Sequence, residues 1–379
     1  MPENDEQLVL VTGGTGSVGL PLLESYARDG VSAVAIARSA WPHEFPGGIR
    51  FVAGDVSRPE LGLDPAVRDE LRSRVVSIVH AAALTRFDAE LDVARTVNVE
   101  GTRHVLAFAE GCPRLSHISI LSTVYVAGRR TGSIGEAQLE HDCGFVNAYE
   151  RSKYEAEQVA REAMGRLPIS VLRLSTIIGA HEDGRVHRAA AIHHAMRFLY
   201  HSLLPMMPGT DDSPVDLIAT EYAIAAIRTL SDEGFVPGRT RHICAAAEAI
   251  EQAELIDLVA DAFVRYRPAW RRRAIEKPAI VELATFELFR DSVNAVADPG
   301  LRASVAMLAP FAPQLAYPKL FDDAECHAAV AATGIRRPDL RATIMSVVRY
   351  LIENNWAQAH LRQGSGGQAH LRQGSGGQA

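Results

Sequence analysis

Residues 8–19, Leu-Val-Leu-Val-Thr-Gly-Gly-Thr-Gly-Ser-Val-Gly, constrain this chain more than any other stretch. Leu8 to Val11 is an apolar run of the kind that forms a buried parallel strand. A turn carrying Gly13, Gly16 and Gly19 follows, and Leu20 to Arg28 then has helical spacing. Strand, glycine turn and helix in this order are what a dinucleotide pyrophosphate requires. Gly13 permits the tight turn, Gly16 lets backbone approach phosphate, and Gly19 lets the helix pack close on the strand. The helix N-terminus adds free N–H groups and the positive end of its dipole.

With 379 residues the chain can hold one large domain or two modest ones. A formal net charge of -7 argues against a general nucleic-acid binder. Cys112, Cys143, Cys244 and Cys326 are far apart and form no CxxC pair. Neither a zinc site nor a disulfide framework is expected, and a reducing cytosol fits. The acidic start, Met1 to Glu6, lacks the basic-then-apolar order of a signal peptide. No apolar run reaches the ~20 residues needed to span a bilayer. The expectation is a soluble, cytoplasmic protein.

Strands and helices then alternate. Ser32 to Ala37 is a second strand ending at Arg38, where a dinucleotide fold faces the adenosine ribose. An acid there binds the 2′-hydroxyl of NAD, whereas an arginine can pair with the 2′-phosphate of NADP. Arg38 therefore favours NADPH over NAD, unless it is only a solvated charge. Ile49 to Ala53 is a third strand, followed by Gly54-Asp55-Val56. Asp55 either accepts the adenine amino group or caps the next turn. Val75 to Val79 is the fourth strand and opens into His80-Ala81-Ala82-Ala83, small residues that let backbone lie against a cofactor. His80 itself reads as packed or hydrogen-bonded. Asn98 falls inside a helix from Ala89 to Glu110, where local backbone must satisfy its side chain. Leu115 to Leu121 is the fifth strand, with Ser122 and Thr123 at the carboxyl end, where open parallel sheets bind ligands. Thr123 could equally be a turn former.

The chemistry is carried by Tyr149-Glu150-Arg151-Ser152-Lys153, on a helix expected from Ala148 to Met164. Four-residue spacing puts Tyr149 and Lys153 on one helix face. An ammonium beside a phenol lowers its pKa from about 10 toward neutrality, so that it can trade a proton at working pH.

Ile169 to Leu174 is a sixth strand, and beyond it the alternation fades. His181, His187, His193, His194 and His201 lack the i, i+4 pair of a helical metal site, so no metal is expected. Met196, Phe198, Leu203, Leu204, Met206 and Met207 suit an adaptable apolar pocket, or a plain core helix. Val215 to Ile218 begins another strand-to-helix passage, Arg241 to Ala245 is a short strand, and Ile250 to Tyr266 is a helix. Arg265, Arg267 and Arg271 to Arg273 form a basic cluster, a solvated face or a site for coenzyme A or carrier phosphates. Residues 278–355 read as helical, with Ala316 to Asp323 as a punctuating loop. Ala359 to Gln368 is repeated at Ala369 to Gln378, and 358–379 is read as a disordered tail or artefact outside the fold.

These residues together resemble the extended short-chain dehydrogenase/reductase family, over Leu8 to about Glu233. The likeness rests on the glycine turn, Gly54-Asp55-Val56, His80-Ala81-Ala82, Asn98 with Gly101-Thr102, Ser122-Thr123 and Tyr149-x-x-x-Lys153. Gly54 to Leu63, Pro214 to Ile218 and Tyr317 to Asp322 look like the branch of fatty acyl-CoA reductases and thioester reductase domains. Leu174-Ser175 departs from the Arg-Pro-Ser of many relatives. The resemblance implies Tyr149 as acid/base, Lys153 as its activator and ribose ligand, and Thr123 as the hydroxyl orienting the substrate oxygen. It places Thr12, Gly13, Thr15, Gly16, Ser17, Val18, Gly19, Arg38, Asp55, Val56, Ala81, Ala82, Ala83, Asn98 and Lys153 around the cofactor, with Asp55 on adenine.

The expected fold is α/β, a doubly wound parallel sheet of Rossmann type with a smaller, mostly helical C-terminal substrate lobe. Residues 1–180 form the NADP-binding core, and 181–357 form the lobe, with some strands returning to the core. The expected function is NADPH-dependent reduction of an acyl thioester to aldehyde or alcohol, the acyl chain arriving on coenzyme A or a carrier protein. A nucleotide-sugar epimerase or dehydratase, a hydroxysteroid-type dehydrogenase, and a non-catalytic NADP sensor are the alternatives. A homodimer fits the family.

Overall fold

A computed structural model describes residues 8–38, 45, 47–269, 277–295 and 299–357. The acidic start, Arg271 to Arg273 and the repeated tail lie outside the described residues.

The chain opens with β1 (Leu8–Thr12), α1 (Gly19–Arg28), β2 (Ala33–Ala37), β3 (Arg50–Ala53) and α2 (Pro65–Arg74). It continues through β4 (Val75–His80), α3 (Leu91–Glu110), β5 (His117–Thr123), β6 (Gly132–Ile134), α4 (Ala148–Ala163) and β7 (Ile169–Leu174). The second half runs β8 (Thr176–Gly179), α5 (Ala191–Tyr200), β9 (Met206–Pro208), β10 (Pro214–Val215), β11 (Leu217–Ala219) and α6 (Thr220–Ser231). It then runs β12 (Thr240–Ile243), β13 (Ile250–Glu251), α7 (Gln252–Tyr266), β14 (Ala279–Val281), α8 (Leu283–Ala295) and α9 (Pro299–Leu308). The last described elements are β15 (Lys319–Phe321), α10 (Ala324–Ala331) and α11 (Leu340–Glu353). No described helix is long and apolar enough to cross a membrane.

Seven parallel strands form one sheet in the order β12-β7-β5-β4-β1-β2-β3, so the winding reverses between β1 and β4. Period-two alternation feeds two cores. Leu8 and Leu10 of β1 point toward Val105 and Phe108 of α3 and Ala156 and Ala160 of α4. Val9 and Val11 point the other way, toward Leu22 and Tyr26 of α1 and Tyr222 and Ile227 of α6. All five residues of β1 are buried, because helices cover both faces. A third cluster joins α5, α7 and α11 through Met196, Leu255, Phe263 and Val348.

Two regions differ from the sequence reading. Residues 279–281, expected to be helical, form β14, which pairs with β9. The supposed loop from Ala316 to Asp323 contains β15, which pairs with β6. Lys319 and Phe321 are buried and Leu320 is exposed, a strand alternation too short to stand out.

Candidate active site

The carboxyl ends of β1, β4, β5 and β7 meet along one edge of the sheet. Gly13 has a φ of 72°, and a Cβ there would lie 2.6 Å from the Ala82 nitrogen. The loops after β1 and β4 are thus in backbone contact. The Gly16 N–H donates to the Gly13 carbonyl at 2.9 Å, and a side chain on Gly19 would run into that same carbonyl. No side chain caps the start of α1; the Leu20 N–H goes to the Gly16 carbonyl and Pro21 has none, so the amides of Ser17 to Gly19 face an anion. Thr15 and Ser17 are exposed, Val18 is half-buried, and Ser17 and Val18 line the central cavity. A glycine-rich cradle, at a helix N-terminus and open to a cavity, fits a dinucleotide diphosphate.

Thr12 serves as a beam beneath this cradle. Its hydroxyl accepts the Ala82 N–H at 3.2 Å and lies 2.7 Å from His80 Nδ1. His80 Nε2 is 3.2 Å from the Thr102 hydroxyl, which itself donates to the Asn98 carbonyl. These directions assign the proton of a neutral His80 to Nε2. Burial, helped by Lys153, pushes the His80 pKa down to about 3, so it stays neutral. Asn98 donates its side-chain amide to the Leu84 carbonyl and Ser152, and accepts the Leu84 N–H. Its amide donors bind the β4 loop to α4. Asp55 accepts the Ser57 N–H and hydroxyl at 2.9 and 2.7 Å, which is the turn-capping arrangement. Burial raises its pKa, but those bonds and the charges of Arg38 and Arg58 outweigh it and hold the carboxyl below its usual value. Arg38 is exposed at the end of β2, Val56 is buried, and Ala81 to Ala83 are half-buried.

Asn147 caps α4 by accepting the Glu150 N–H at 3.0 Å, which fixes Tyr149 in its first turn. The Thr123 hydroxyl, at the end of β5, accepts the Tyr125 N–H at 3.2 Å and sits beside the Tyr149 phenol, whose ionised form it favours. Phe87 packs edge-on to Tyr149, with centroids 5.4 Å apart. The expected depression of the phenol is not found. Burial pushes the Tyr149 pKa up to about 12; the Thr123 hydroxyl opposes this, while Glu150 and Tyr125 add to it. Lys153 donates instead to the Leu121 carbonyl at 2.8 Å, and burial lowers its own pKa to about 8 against the pull of Glu157.

A buried ionic network behind these groups escaped the sequence reading. Glu157, one turn beyond Lys153, meets Arg173 at 2.6 Å and accepts the Ser122 hydroxyl at 3.0 Å. Arg173 also donates to the Glu136 carbonyl and to His242 Nε2, and His242 Nδ1 bonds the Asp322 carbonyl. The network ties the strand end bearing Thr123 to the segment that follows β15. A charged residue inside the apolar strand Ile169 to Leu174 was its one visible signal.

A cavity of about 580 Å³ runs from Ser17 and Val18 past Thr123 and Tyr149. Beyond them Met196, Leu199, Leu204, Met207, Leu255 and Val259 line it, whereas Phe198, Leu203 and Met206 do not. Phe311, Gln314, Tyr317 and Lys319 close another side. Of the histidines, His194 lines the cavity, and His193 is tied to the Ile178 carbonyl and Ala190 N–H. Among the described residues no group of three or more His, Cys, Asp or Glu side chains could hold a metal. Arg265 and Arg267 are exposed and away from the cavity.

A family model described as Male sterility protein matches residues 32–227. An isonitrile lipopeptide synthase from Streptomyces coeruleorubidus is 32% identical over 202 residues, 47% of this chain and 14% of that protein. Fatty acyl-CoA reductase wat from Drosophila melanogaster is 25% identical over 160 residues, 36% of this chain and 31% of that protein. The chain therefore spans well under half the length of either curated relative. The crystal structure of the terminal R domain from the myxalamid PKS-NRPS pathway superposes with a TM-score of 0.76 at 23% identity, covering 93% of this chain and 92% of that one. That likeness is one of fold.

Proposed function

The chain belongs to the Male sterility protein family, in the acyl-CoA and thioester reductase branch of the extended short-chain dehydrogenases/reductases, and we propose that it reduces an acyl thioester with NADPH. The observation that carries this reading is the continuity of one cavity. It joins the glycine cradle to Thr123 and Tyr149, and these to a chamber of methionine and aliphatic side chains. A chamber of that lining suits an acyl chain.

The turn of Gly13 and Gly16 would leave room for the diphosphate and the amides of Ser17 to Gly19 would hold it, and exposed Arg38 would meet the 2′-phosphate that distinguishes NADPH. When bound, the nicotinamide would supply the hydride that adds to the thioester carbon. As negative charge develops on the carbonyl oxygen, Thr123 and Tyr149 stabilise it. A phenol near 12 is fully protonated at neutral pH, so Tyr149 enters the step as the acid. Collapse then breaks the carbon–sulfur bond and releases a thiol and an aldehyde. A second reduction would give the alcohol.

NADPH oxidation by the purified protein, offered acyl-CoA thioesters of graded chain length, tests this reading. Chain-length-dependent oxidation with thiol release is expected. Tyr149→Phe should keep NADPH binding and lose about 10²–10⁴-fold in kcat, the usual worth of a general acid. Full turnover in that variant overturns the role of Tyr149. Silence on every thioester, with NADPH bound, points instead to a free carbonyl or a nucleotide sugar.

A further inference from the structure

Beside Tyr149 the cavity wall holds a second pair of buried charges that the reduction step does not use. Glu150 is 2% exposed and Lys319 is 6% exposed, and both line the cavity. No ion pair joins them among the described residues, yet each stabilises the other's charge against burial. Glu150 accepts the Val146 N–H at 3.0 Å and the Asn147 side-chain amide at 3.3 Å. Lys319 donates to the Tyr317 carbonyl at 2.7 Å and to Gln314 Oε1 at 3.2 Å. An ammonium has three donors and a carboxylate about four acceptor positions. One N–H and part of the carboxylate are therefore left over. Capping of α4 explains where Glu150 sits, but not why a lysine is buried across from it, since desolvating charge is costly unless its bonds are completed.

We propose that Glu150 and Lys319 form an amide-binding subsite for the thiol half of the substrate. The group it would take is the –CH₂–CH₂–NH–CO– that follows sulfur in a pantetheine thioester. This rests on the thioester reading above. An amide supplies both missing partners, a carbonyl for the free N–H of Lys319 and an N–H for the Glu150 carboxylate. Its place follows from the packing beneath each wall. The side chains suited to the acyl chain belong to the cluster under α5 and α7. Lys319 instead adjoins a separate cluster of Val124, Ala127, Ile134 and Phe321. With the acyl chain in the first, the sulfur side falls to the second.

The test uses two thioesters of one fatty acid. One carries N-acetylcysteamine; the other carries 1-pentanethiol, which has similar reach and no amide. The wild type should favour the amide-bearing thioester in kcat/KM by about tenfold or more, as expected for one hydrogen bond to a charged group. Lys319→Met should erase most of that preference, chiefly through KM. Lys319→Gln, which keeps a donor for the Tyr317 carbonyl, serves if the methionine variant does not fold. Equal use of the two thioesters by the wild type, or an undiminished preference in the variant, overturns the subsite. If neither thioester is reduced, the thioester reading fails by itself. The subsite is then decided by calorimetric titration of NADP⁺-loaded protein with the unreactive S-hexyl thioether of N-acetylcysteamine. Binding weakened about tenfold by the substitution at Lys319 supports it; no binding, or unchanged binding, overturns it.

Discussion

Helix α4 carries two buried glutamates in opposite circumstances. Glu157 is closed in: Arg173 grips both carboxylate oxygens, Ser122 donates to one of them, and Arg161 approaches at 3.4 Å. Glu150 is open: backbone and Asn147 satisfy part of it, and the rest meets the cavity wall opposite Lys319. A buried charge whose bonds the protein itself completes belongs to the frame. One with bonds left over beside a cavity is available to a ligand.

The largest expected effect comes from breaking the closed site. Glu157→Ala strands the Arg173 guanidinium without a counter-charge and should cost about 3–5 kcal/mol in denaturant unfolding. An unchanged unfolding midpoint would erase the distinction between the two acids. A smaller, pH-dependent effect belongs to Glu150, whose pKa burial pushes up from 4.5 to about 7. The folded state prefers its neutral form, so its contribution is fully present below about 4.5 and is lost as the pH rises through about 7. Glu150→Gln should therefore gain on the wild type across that window and hold a constant lead above it. A gap between their urea midpoints that stays flat from pH 4 to pH 8 would show that Glu150 is as well compensated as its neighbour. The smallest effect is that of Ser122→Ala, about 1 kcal/mol, because Glu157 keeps Arg173 when the hydroxyl goes. A loss as large as that of Glu157→Ala would mean that the hydroxyl, not the guanidinium, anchors the network.

The centre of the sheet was legible because β1, β2 and β4 are buried on both faces and read as nearly continuous apolar runs between glycine and helix signals. The positions of Thr123 and Tyr149 were legible too, since one ends β5 and the other lies in the first turn of α4, elements whose type was plain. What stayed hidden depends on contacts between distant segments. Glu157 and Arg173 look like ordinary charges until α4 lies across β7. The role of Lys319 depends on β15 pairing with β6, and three residues carry too little alternation to announce a strand. The phenol of Tyr149 was expected to be acidified by Lys153. Instead the ammonium is spent on the Leu121 carbonyl, and burial decides the direction. Asp55 makes the hydrogen bonds of a turn cap, one of the two roles its sequence context allows.

The wall from Pro310 to Phe321 also sets an order in time. It is held by Asn147 on the Pro310 carbonyl and by strand pairing to Gly132–Ile134, far earlier in the chain. Synthesis proceeds from the N-terminus at about 5–20 residues per second, and contacts of long sequence separation are the slowest to form. The nascent chain therefore presents its glycine cradle and Tyr149 to the surrounding water before residues 310–321, which close one side of the cavity, have left the ribosome. A ligand of the open cradle can be met early, whereas whatever the cavity encloses must wait for translation to deliver the last side of the room.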